Sequence, residues 1–360
     1  MQQLTAVDTG FLTMETGTQF GHVGSLSIFE PAATYDAICR QIEQRLHLLP
    51  PYRRQLVEVP FGLDHPYWIE SPNFDLDFHL RHIAVPAPGN REQLSDLVAR
   101  LAARPLDRSR PLWEYYVIDG LESGDVAHYA KTHHATIDGA SGVEMAAVLL
   151  DDRADKAPPP PPDQPWRPEA VPTNYDLLSR TMARLATSPQ RMAQAQWRLF
   201  QAMSERARAN TGAGDQPWTA WMNGWQERRP PEAADEPPPL PTTPAPRTPF
   251  NAPITAHRRW AYTTLALAEV KRIKNNFGVT LNDVVLELCA SILRRWLVQH
   301  EALPADPLLV MCPVSIRSGQ ESDPYSNRVS GMIATLCTSR PLKLAISLSV
   351  SRFERMTLPL

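Results

Sequence analysis

The distribution of proline divides this chain into three parts. Of its 36 prolines, twenty lie between Pro158 and Pro253. Runs of proline favour extended polyproline segments and cannot continue a helix or a central strand, because proline fixes φ and lacks an N–H. We therefore predict an N-terminal unit over residues 1–155 and a C-terminal unit over residues 256–360. A proline-rich crossover, residues 156–255, would join them.

One stretch of the crossover has a different composition. Residues 173–209 place apolar side chains at helical spacing, and arginine far outnumbers acidic residues there. The pair Ser188-Pro189 predicts the N-cap and first residue of a second helix. Such a basic amphipathic segment can lie at a membrane interface, although the same pattern suits a helix packed on its own protein. No run approaches the roughly 20 apolar residues of a spanning helix, so we expect any membrane contact to be peripheral.

Composition excludes several classes of function. The formal net charge is −3, so no general basic field attracts nucleic acid. The four cysteines are far apart and form no Cys-x-x-Cys pair, which argues against a zinc ribbon or a dithiol redox site. Residues 1–9 lack the basic and apolar regions of a signal peptide. We therefore expect a cytoplasmic protein with reduced thiols.

Strand-like and helix-like segments alternate along both units, which predicts an α/β or α+β fold. Thr34 is placed to cap one predicted helix, and Gly278 is placed to end another. The predicted strands are 23–29, 115–118, 126–132, 308–313 and 329–336. The predicted helices are 34–48, 142–150, 265–277 and 281–298.

The main candidates for catalysis lie in residues 131–139, which read Lys-Thr-His-His-Ala-Thr-Ile-Asp-Gly. A predicted strand ends at His133 and His134, and Asp138 and Gly139 follow at a turn. Imidazole can take up and return a proton near neutral pH, so His134 is a candidate general base. The spacing alone is common, and a structural histidine is the alternative.

Three further motifs accompany this segment in a fixed order: residues 105–114, which contain Pro-Leu-Trp, residues 281–285, which read Leu-Asn-Asp-Val-Val, and residues 313–317, which read Pro-Val-Ser-Ile-Arg. Together the four motifs resemble the bacterial wax ester synthase/diacylglycerol acyltransferase family. The N-terminal residues Asp8, Phe11 and Glu15 also fall where that family carries similar residues. The resemblance extends from about Leu4 to Thr338.

The resemblance implies a fold, a reaction and its partners. The fold would be two chloramphenicol acetyltransferase-like units with a tunnel between them. Long-chain acyl-CoA would enter as co-substrate, and the acceptor would be diacylglycerol, giving triacylglycerol, or a fatty alcohol, giving a wax ester. Neither a cofactor nor a metal is implied. The protein would associate peripherally with the inner membrane face or with lipid bodies.

The resemblance also assigns roles around the histidines. His134 would take the proton of the acceptor hydroxyl and return a proton to the departing CoA sulfur. Asp138 would point away from substrate and pair with an arginine, for which Arg317 is our candidate. His133 would orient the loop or line the tunnel, and Gly139 would support the loop.

Two other sets of polar residues leave alternatives open. Asn282 could donate a hydrogen bond to the developing oxyanion, with Asp283 in support, or it could be a plain helix N-cap, a position for which Thr280 is the other candidate. His79 and His82 follow two aspartates, but in a strand they would point to opposite faces, so we predict no metal site there.

The resemblance stops near Thr338, and residues 339–360 do not follow the family pattern. We therefore expect the second unit to be incomplete. Two other functions stay open at this point. One is a condensation-type acyltransferase acting on a carrier-protein thioester or a polyketide alcohol, and the other is a truncated, inactive lipid-binding remnant.

Overall fold

Contacts within the chain define two structural units. The computed structural model describes residues 1–30, 34–137, 139–151, 157–164, 166–186, 245–315, 325, 327, 329–336 and 338. The first unit draws its residues from Met1–Pro230, Thr255–Trp260 and Arg317–Arg328, and the second from Pro231–Ile254, Ala261–Ile316 and Val329–Leu360. Tyr325 and Asn327, which come late in the chain, therefore belong to the first unit. The three-part division of the sequence stays a prediction.

The first unit mixes short strands with helices of moderate length. Its described strands are β1 (Gln2–Gln3), β2 (His22–Phe29), β3 (Arg54–Val57), β4 (Tyr67–Glu70), β5 (Leu80–Ala84), β6 (Trp113–Asp119) and β7 (Val126–His133). Its described helices are α1 (Ala6–Thr13), α2 (Tyr35–Arg45), α3 (Leu76–His79), α4 (Arg91–Ala102), α5 (Gly139–Leu149) and α6 (Asn174–Ala186).

The main sheet has the strand order β2-β7-β6-β5. β7 pairs antiparallel with both β2 and β6, whereas β5 runs parallel to β6. Six successive residues of β6, residues 113–118, are buried, as expected for a strand covered on both faces. The end of β7, where the two histidines lie, is therefore a rigid platform.

The two faces of this sheet are buried by different kinds of side chain. Tyr115 and Val117 pack with Ile42 of α2 and Met145 of α5 in one apolar core.

On the other face, the fully buried ammonium of Lys131 lies 2.7 Å from a carboxylate oxygen of Glu114. Lys131 also donates to the carbonyls of Leu101 and Arg104, at the C-terminus of α4. A cation is favourable at that end of a helix, so the pair ties α4 to the sheet.

A small antiparallel sheet, β1-β4-β3, brings the N-terminus close to the histidine loop. Leu4, Leu12 and Trp68 share a buried cluster with Ala135, which follows the two histidines. The capping box of α1, formed by Thr5 and Asp8, starts that helix beside the same loop. The first fifteen residues consequently form one wall of the site.

The second unit contains α7 (Leu267–Phe277), α8 (Leu281–Gln299), β8 (Leu308–Ser315) and β9 (Val329–Leu336). The two strands pair antiparallel, and Leu308 and Leu336 pack against Leu297 of α8. Among the described residues, no single helix is long and apolar enough to span a membrane. Helices α7 and α8 meet the criteria of length and composition only as a pair bent by 101°.

The structure confirms most of the predicted elements and corrects one. Thr34 caps α2, and Gly278 ends α7 in the left-handed conformation, as expected. The strand geometry assumed for His79 and the aspartates before it was wrong, because Leu76–His79 form one helical turn. Asp75 caps that turn by accepting a hydrogen bond from the N–H of Asp77, which competes with an extended backbone. The predicted helix start at Ser188-Pro189 lies outside the described residues.

Candidate active site

Strand β7 ends where the backbones of three elements converge. The N–H of His133 donates to the carbonyl of Leu112, and the N–H of His134 donates to the carbonyl of Gly21 at 2.8 Å. The chain then turns at residues 134–136, and α5 begins at Gly139. Strand pairing thus fixes both histidine backbones to the sheet and leaves the side chains to point in different directions.

The side chain of His133 is enclosed, with 1% of its surface exposed. Its Nδ1 accepts a hydrogen bond from the N–H of Ala135, so that nitrogen carries no proton. Its Nε2 lies 3.1 Å from Oε1 of Glu15 and must be the donor. His133 is therefore a neutral ring with both nitrogens engaged, and it braces the turn that follows.

Glu15 is ionised in this enclosure. Burial alone would raise the pKa of its carboxyl, but hydrogen bonds from His133, from the N–H of Gly21 and from Arg108 outweigh burial and bring that pKa to about 2. Arg108 donates to Glu15 and also to the carbonyl of Leu12, at 2.8 Å and 2.7 Å. The charge on Glu15 thus links α1, the start of β2 and the Pro-Leu-Trp segment.

His134 has a different environment, because its side chain is partly exposed. One face of its ring stacks on Phe11, with 4.0 Å between ring centroids and 13° between planes. Its Nδ1 lies 3.2 Å from Oδ1 of Asn327. None of the hydrogen bonds found among the described residues uses its Nε2, so that nitrogen is available to an incoming group.

Asn327 is buried and bridges two parts of the site. Its Nδ2 donates to the carbonyl oxygen of His134 at 2.7 Å and to Oδ1 of Asp8 at 2.6 Å. Its backbone N–H donates to the same oxygen of Asp8. Burial raises the pKa of Asp8, and hydrogen bonds from Thr5 and Asn327 oppose that effect.

Gly21 is a position where a side chain has no room. Its N–H donates to Glu15 at 2.7 Å, and its carbonyl accepts from His134. A Cβ at this position would lie 2.8 Å from Nε2 of His133 and 2.8 Å from the carbonyl oxygen of Phe11. The close approach of backbone to the two histidines requires glycine here.

A small pocket of about 20 Å³ lies beside the histidine loop in the first unit. Asp8, Ala135, Thr136 and Tyr325 are among its lining residues. The hydroxyl of Thr136 is buried and has no hydrogen-bond partner within the part of the chain that the structure describes. The loop therefore has free space on the side of α1.

The structure brings together only some of the residues predicted for the site. His133 and His134 adjoin each other at the end of β7, and Gly139 opens α5. Asp138 and Arg317 lie outside the described residues, so their pairing stays a prediction. The described residues contain no group of three or more His, Cys, Asp or Glu side chains that could hold a metal ion.

Asn282 and Asp283 lie at the start of α8 in the second unit. Thr280, one of the two residues predicted as N-cap, caps that helix and forms a capping box with Asp283, so Asn282 is not the cap. The side chain of Asn282 is exposed, whereas Asp283 is buried. The role of Asn282 toward an oxyanion stays a prediction.

Three residues make contacts at this site that the sequence did not predict. The two histidines are held in place by Asp8, Glu15 and Asn327. From the sequence, Asp8 and Glu15 were noted only for their resemblance to the family, and no role was predicted for Asn327. The capping pattern Thr5-Ala6-Val7-Asp8 is a local signal, and it explains only why Asp8 lies at a helix start. Contact between positions 134 and 327 leaves no local signal at all.

The fold is of the chloramphenicol acetyltransferase-like type and is shared with solved structures. A wax ester synthase/diacylglycerol acyltransferase from Marinobacter aquaeolei superposes with a TM-score of 0.60 at 25% identity, over 98% of this chain and 72% of that one. The first condensation domain of the calcium-dependent antibiotic synthetase gives a TM-score of 0.52 at 16% identity, over 98% and 75%. At that identity the second likeness concerns the fold alone.

Within this class, similarity in sequence shows which family the chain belongs to. The model of the wax ester synthase/diacylglycerol acyltransferase catalytic domain matches residues 4–285. A putative diacylglycerol O-acyltransferase of Mycobacterium tuberculosis is 32% identical over 326 residues, which cover 89% of this chain. The chain belongs to the wax ester synthase/diacylglycerol acyltransferase family. It spans 64% of the length of that relative.

Proposed function

We propose that the protein is an O-acyltransferase that moves an acyl chain from acyl-CoA to the hydroxyl of diacylglycerol, and also to fatty alcohols. The observation that carries the proposal is the environment of His134. Its ring is held at the end of β7 by Phe11 and Asn327, is partly exposed, and keeps Nε2 out of the hydrogen bonds of the described residues. Membership of the family supplies the reaction class.

The acyl transfer that His134 would catalyse needs no cofactor, because every bond broken and every proton moved is accounted for by the two substrates and the imidazole. Nε2 accepts the proton of the acceptor hydroxyl as its oxygen attacks the thioester carbonyl, so a C–O bond forms. Collapse of the tetrahedral intermediate breaks the C–S bond. The imidazolium then returns the proton to the CoA sulfur, which leaves as the thiol. A thiol of pKa about 8–9 is a good leaving group, so activation of the alcohol is the demanding step.

His133 has no place in this proton transfer. Its two ring nitrogens are occupied by Ala135 and Glu15, and its side chain is buried. The proposal assigns it the task of keeping the backbone of the adjacent residue in position, which fixes where the base stands relative to substrate.

The rival reaction is condensation on a carrier-protein thioester. The two reactions share a fold, so the fold does not separate them. The match of residues 4–285 to the wax ester synthase/diacylglycerol acyltransferase model favours free acyl-CoA as donor.

An acceptor assay tests the proposal. Purified protein receives radiolabelled palmitoyl-CoA with diolein, with hexadecanol, or with neither, and His134→Ala serves as the matched blank. We expect triacylglycerol with diolein, a smaller yield of wax ester with hexadecanol, and neither product with the variant. Absence of both lipid products from the wild-type protein, while an acyl-carrier thioester supports transfer, would favour the rival reaction.

We further propose that the protein is cytoplasmic and binds peripherally to the inner membrane face or to lipid bodies. An apolar stripe on α8 supports this: Leu281, Val285, Leu288 and Ile292 recur at helical spacing and are 39–67% exposed. These positions share one face of the helix. An apolar helix face can enter the boundary between headgroups and acyl chains.

Flotation with vesicles tests this attachment. The vesicles contain phosphatidylcholine and phosphatidylglycerol, with or without triolein. We expect Ile292→Asp to reduce the floating fraction severalfold. Val298→Asp is the matched control, since Val298 is 52% exposed and lies off the stripe, and it should leave flotation unchanged. Equal flotation of both variants would count against the stripe as the attachment site.

A further inference from the structure

The proposed function requires one particular form of neutral histidine. A neutral imidazole carries its proton on Nδ1 or on Nε2, and the bond made by one nitrogen decides which form is present. For Nε2 of His134 to accept a proton from an alcohol, the proton must reside on Nδ1. The following inference rests on the proposed function and concerns the group that selects this form.

The orientation of the Asn327 carboxamide can be derived from its partners. Its Nδ2 lies 2.6 Å from a carboxylate oxygen of Asp8 and 2.7 Å from the carbonyl oxygen of His134. Both partners are acceptors, so a flipped amide would set its oxygen against two other oxygens. The amide oxygen must therefore face Nδ1 of His134, at 3.2 Å. An amide oxygen only accepts, so Nδ1 carries the proton.

Asp8 in turn fixes the amide. Its Oδ1 accepts from both the backbone N–H and the Nδ2 of Asn327. Its Oδ2 accepts from the N–H and the hydroxyl of Thr5, at 3.0 Å and 2.6 Å. Asp8 is 3% exposed, and the capping box of α1 holds it. Four donors thus determine where this carboxylate lies and, through it, which way the amide of Asn327 points.

We infer that Asn327 is a positioning residue that selects the Nδ1–H form of His134, and that Asp8 holds the Asn327 amide in the orientation this requires. Asp8, Asn327 and His134 then form a hydrogen-bonded chain, here called the relay, which orients groups and transfers no proton. In this arrangement the lone pair of Nε2 faces the substrate, and the ring of His134 stays stacked on Phe11.

Nitrogen NMR of the free protein tests the inference directly. With ¹⁵N-histidine labelling near pH 8, a protonated ring nitrogen and an unprotonated one differ clearly in chemical shift. His134→Gln identifies the His134 signals by their disappearance. We expect a protonated Nδ1 and an unprotonated Nε2. A proton found on Nε2 would overturn the inference, and this measurement needs no variant of Asn327 that folds.

Kinetics of two variants supply the second test. Asn327→Leu should lower kcat about 10- to 100-fold, with KM for either substrate changed less than about threefold, and should mix the two ring forms in the NMR spectrum. Asn90→Leu is the matched control, because Asn90 caps α4 through a capping box with Gln93, away from the histidines. An unchanged ring form together with normal kcat in Asn327→Leu would contradict the inference.

A paired exchange separates orientation from simple loss of structure. Asn327→Asp keeps an oxygen for Nδ1 but sets two carboxylates against each other, and adding Asp8→Asn restores an amide donor. The double variant should recover at least about tenfold of the kcat that Asn327→Asp loses. No recovery would count against the relay. Wild-type protein that lacks acyltransferase activity but shows the Nδ1–H form would refute the proposed function and leave the relay intact.

Discussion

His133 and His134 are adjacent in the chain, yet their surroundings differ in almost every respect. The region around His133 is closed, charged and fully hydrogen-bonded, with Glu15 and Ala135 occupying both ring nitrogens. The region around His134 is partly open and apolar on one ring face, with an amide on one nitrogen only. A strand end directs successive side chains to opposite sides, and that geometry creates the difference.

Two adjacent histidines can thus have different tasks, and we propose that His134 acts in the chemistry while His133 supports the structure. The two rings also carry their protons on different nitrogens, Nε2 in His133 and, by our inference, Nδ1 in His134. Activity should therefore depend on one residue and stability on the other. The predictions that follow test this separation, beginning with the largest effect.

Replacing His134 with Gln should abolish most activity and spare the fold. Loss of a general base typically lowers rate by about 10²–10⁴-fold. The ring is partly exposed, so we expect the free energy of unfolding to change by less than about 1 kcal/mol. Steady-state kinetics and urea unfolding measure the two effects. Activity within tenfold of wild type would refute the role of His134 as base.

The acid sensitivity of the His133 region should depend on Glu15. The pKa of Glu15 is about 2 in the folded protein, against an ordinary value of 4.5 expected for the unfolded chain. Its stabilisation is therefore complete above pH 4.5 and disappears as the pH falls through 2. The difference amounts to about 3 kcal/mol, since each pKa unit is worth about 1.4 kcal/mol.

Urea unfolding of wild type and of Glu15→Gln between pH 5 and pH 2 measures this contribution. We expect the stability gap between the two proteins to shrink as the pH falls. Parallel pH profiles would show that the Glu15 carboxylate is not the group that responds to acid.

Replacing His133 with Gln should reverse the pattern seen for His134. The Gln amide can still donate to Glu15, but the N–H of Ala135 loses its acceptor inside a buried site. An unsatisfied buried donor costs about 1–3 kcal/mol, so stability should fall by that amount. We expect kcat to fall less than about tenfold. A loss of activity as large as that of His134→Gln would erase the distinction between the two rings.

The smallest effect should come from Phe11→Leu, which removes the ring stacked on His134. Aromatic pairs contribute about 0.5–1.5 kcal/mol, so kcat should fall by no more than about tenfold. Phe20→Leu is the matched control, because Phe20 stacks on His22 rather than on the proposed base. Equal losses of kcat in the two variants would indicate a general effect on the fold.

Local patterns in the sequence predicted most elements of the fold. Alternation predicted β2 and β7, Thr34 predicted the start of α2, and Gly278 predicted the end of α7. Each of these signals lies within a few residues of the feature it determines. Thr280 and Asn282 were both predicted as candidate caps of α8, and the capping-box spacing from Thr280 to Asp283 is the signal that favours Thr280.

The partners of the two histidines could not be predicted in this way. Glu15 meets His133 across 118 residues, and Asn327 meets His134 across 193. Such contacts depend on how separate elements pack, which no periodicity records. Resemblance to a family predicted that His134 is the base, but it did not reveal which groups orient the ring.

The separation of Asp8 and Asn327 by 319 residues has a consequence for the order of folding. Contacts that close long loops form late, because the entropy of loop closure opposes them until other structure is in place. The main sheet and α1 can be assembled during synthesis before residue 327 leaves the ribosome. We therefore expect a folding intermediate in which His133 is already enclosed while His134 still lacks its amide partner. Such an intermediate would be structured but not yet competent for catalysis.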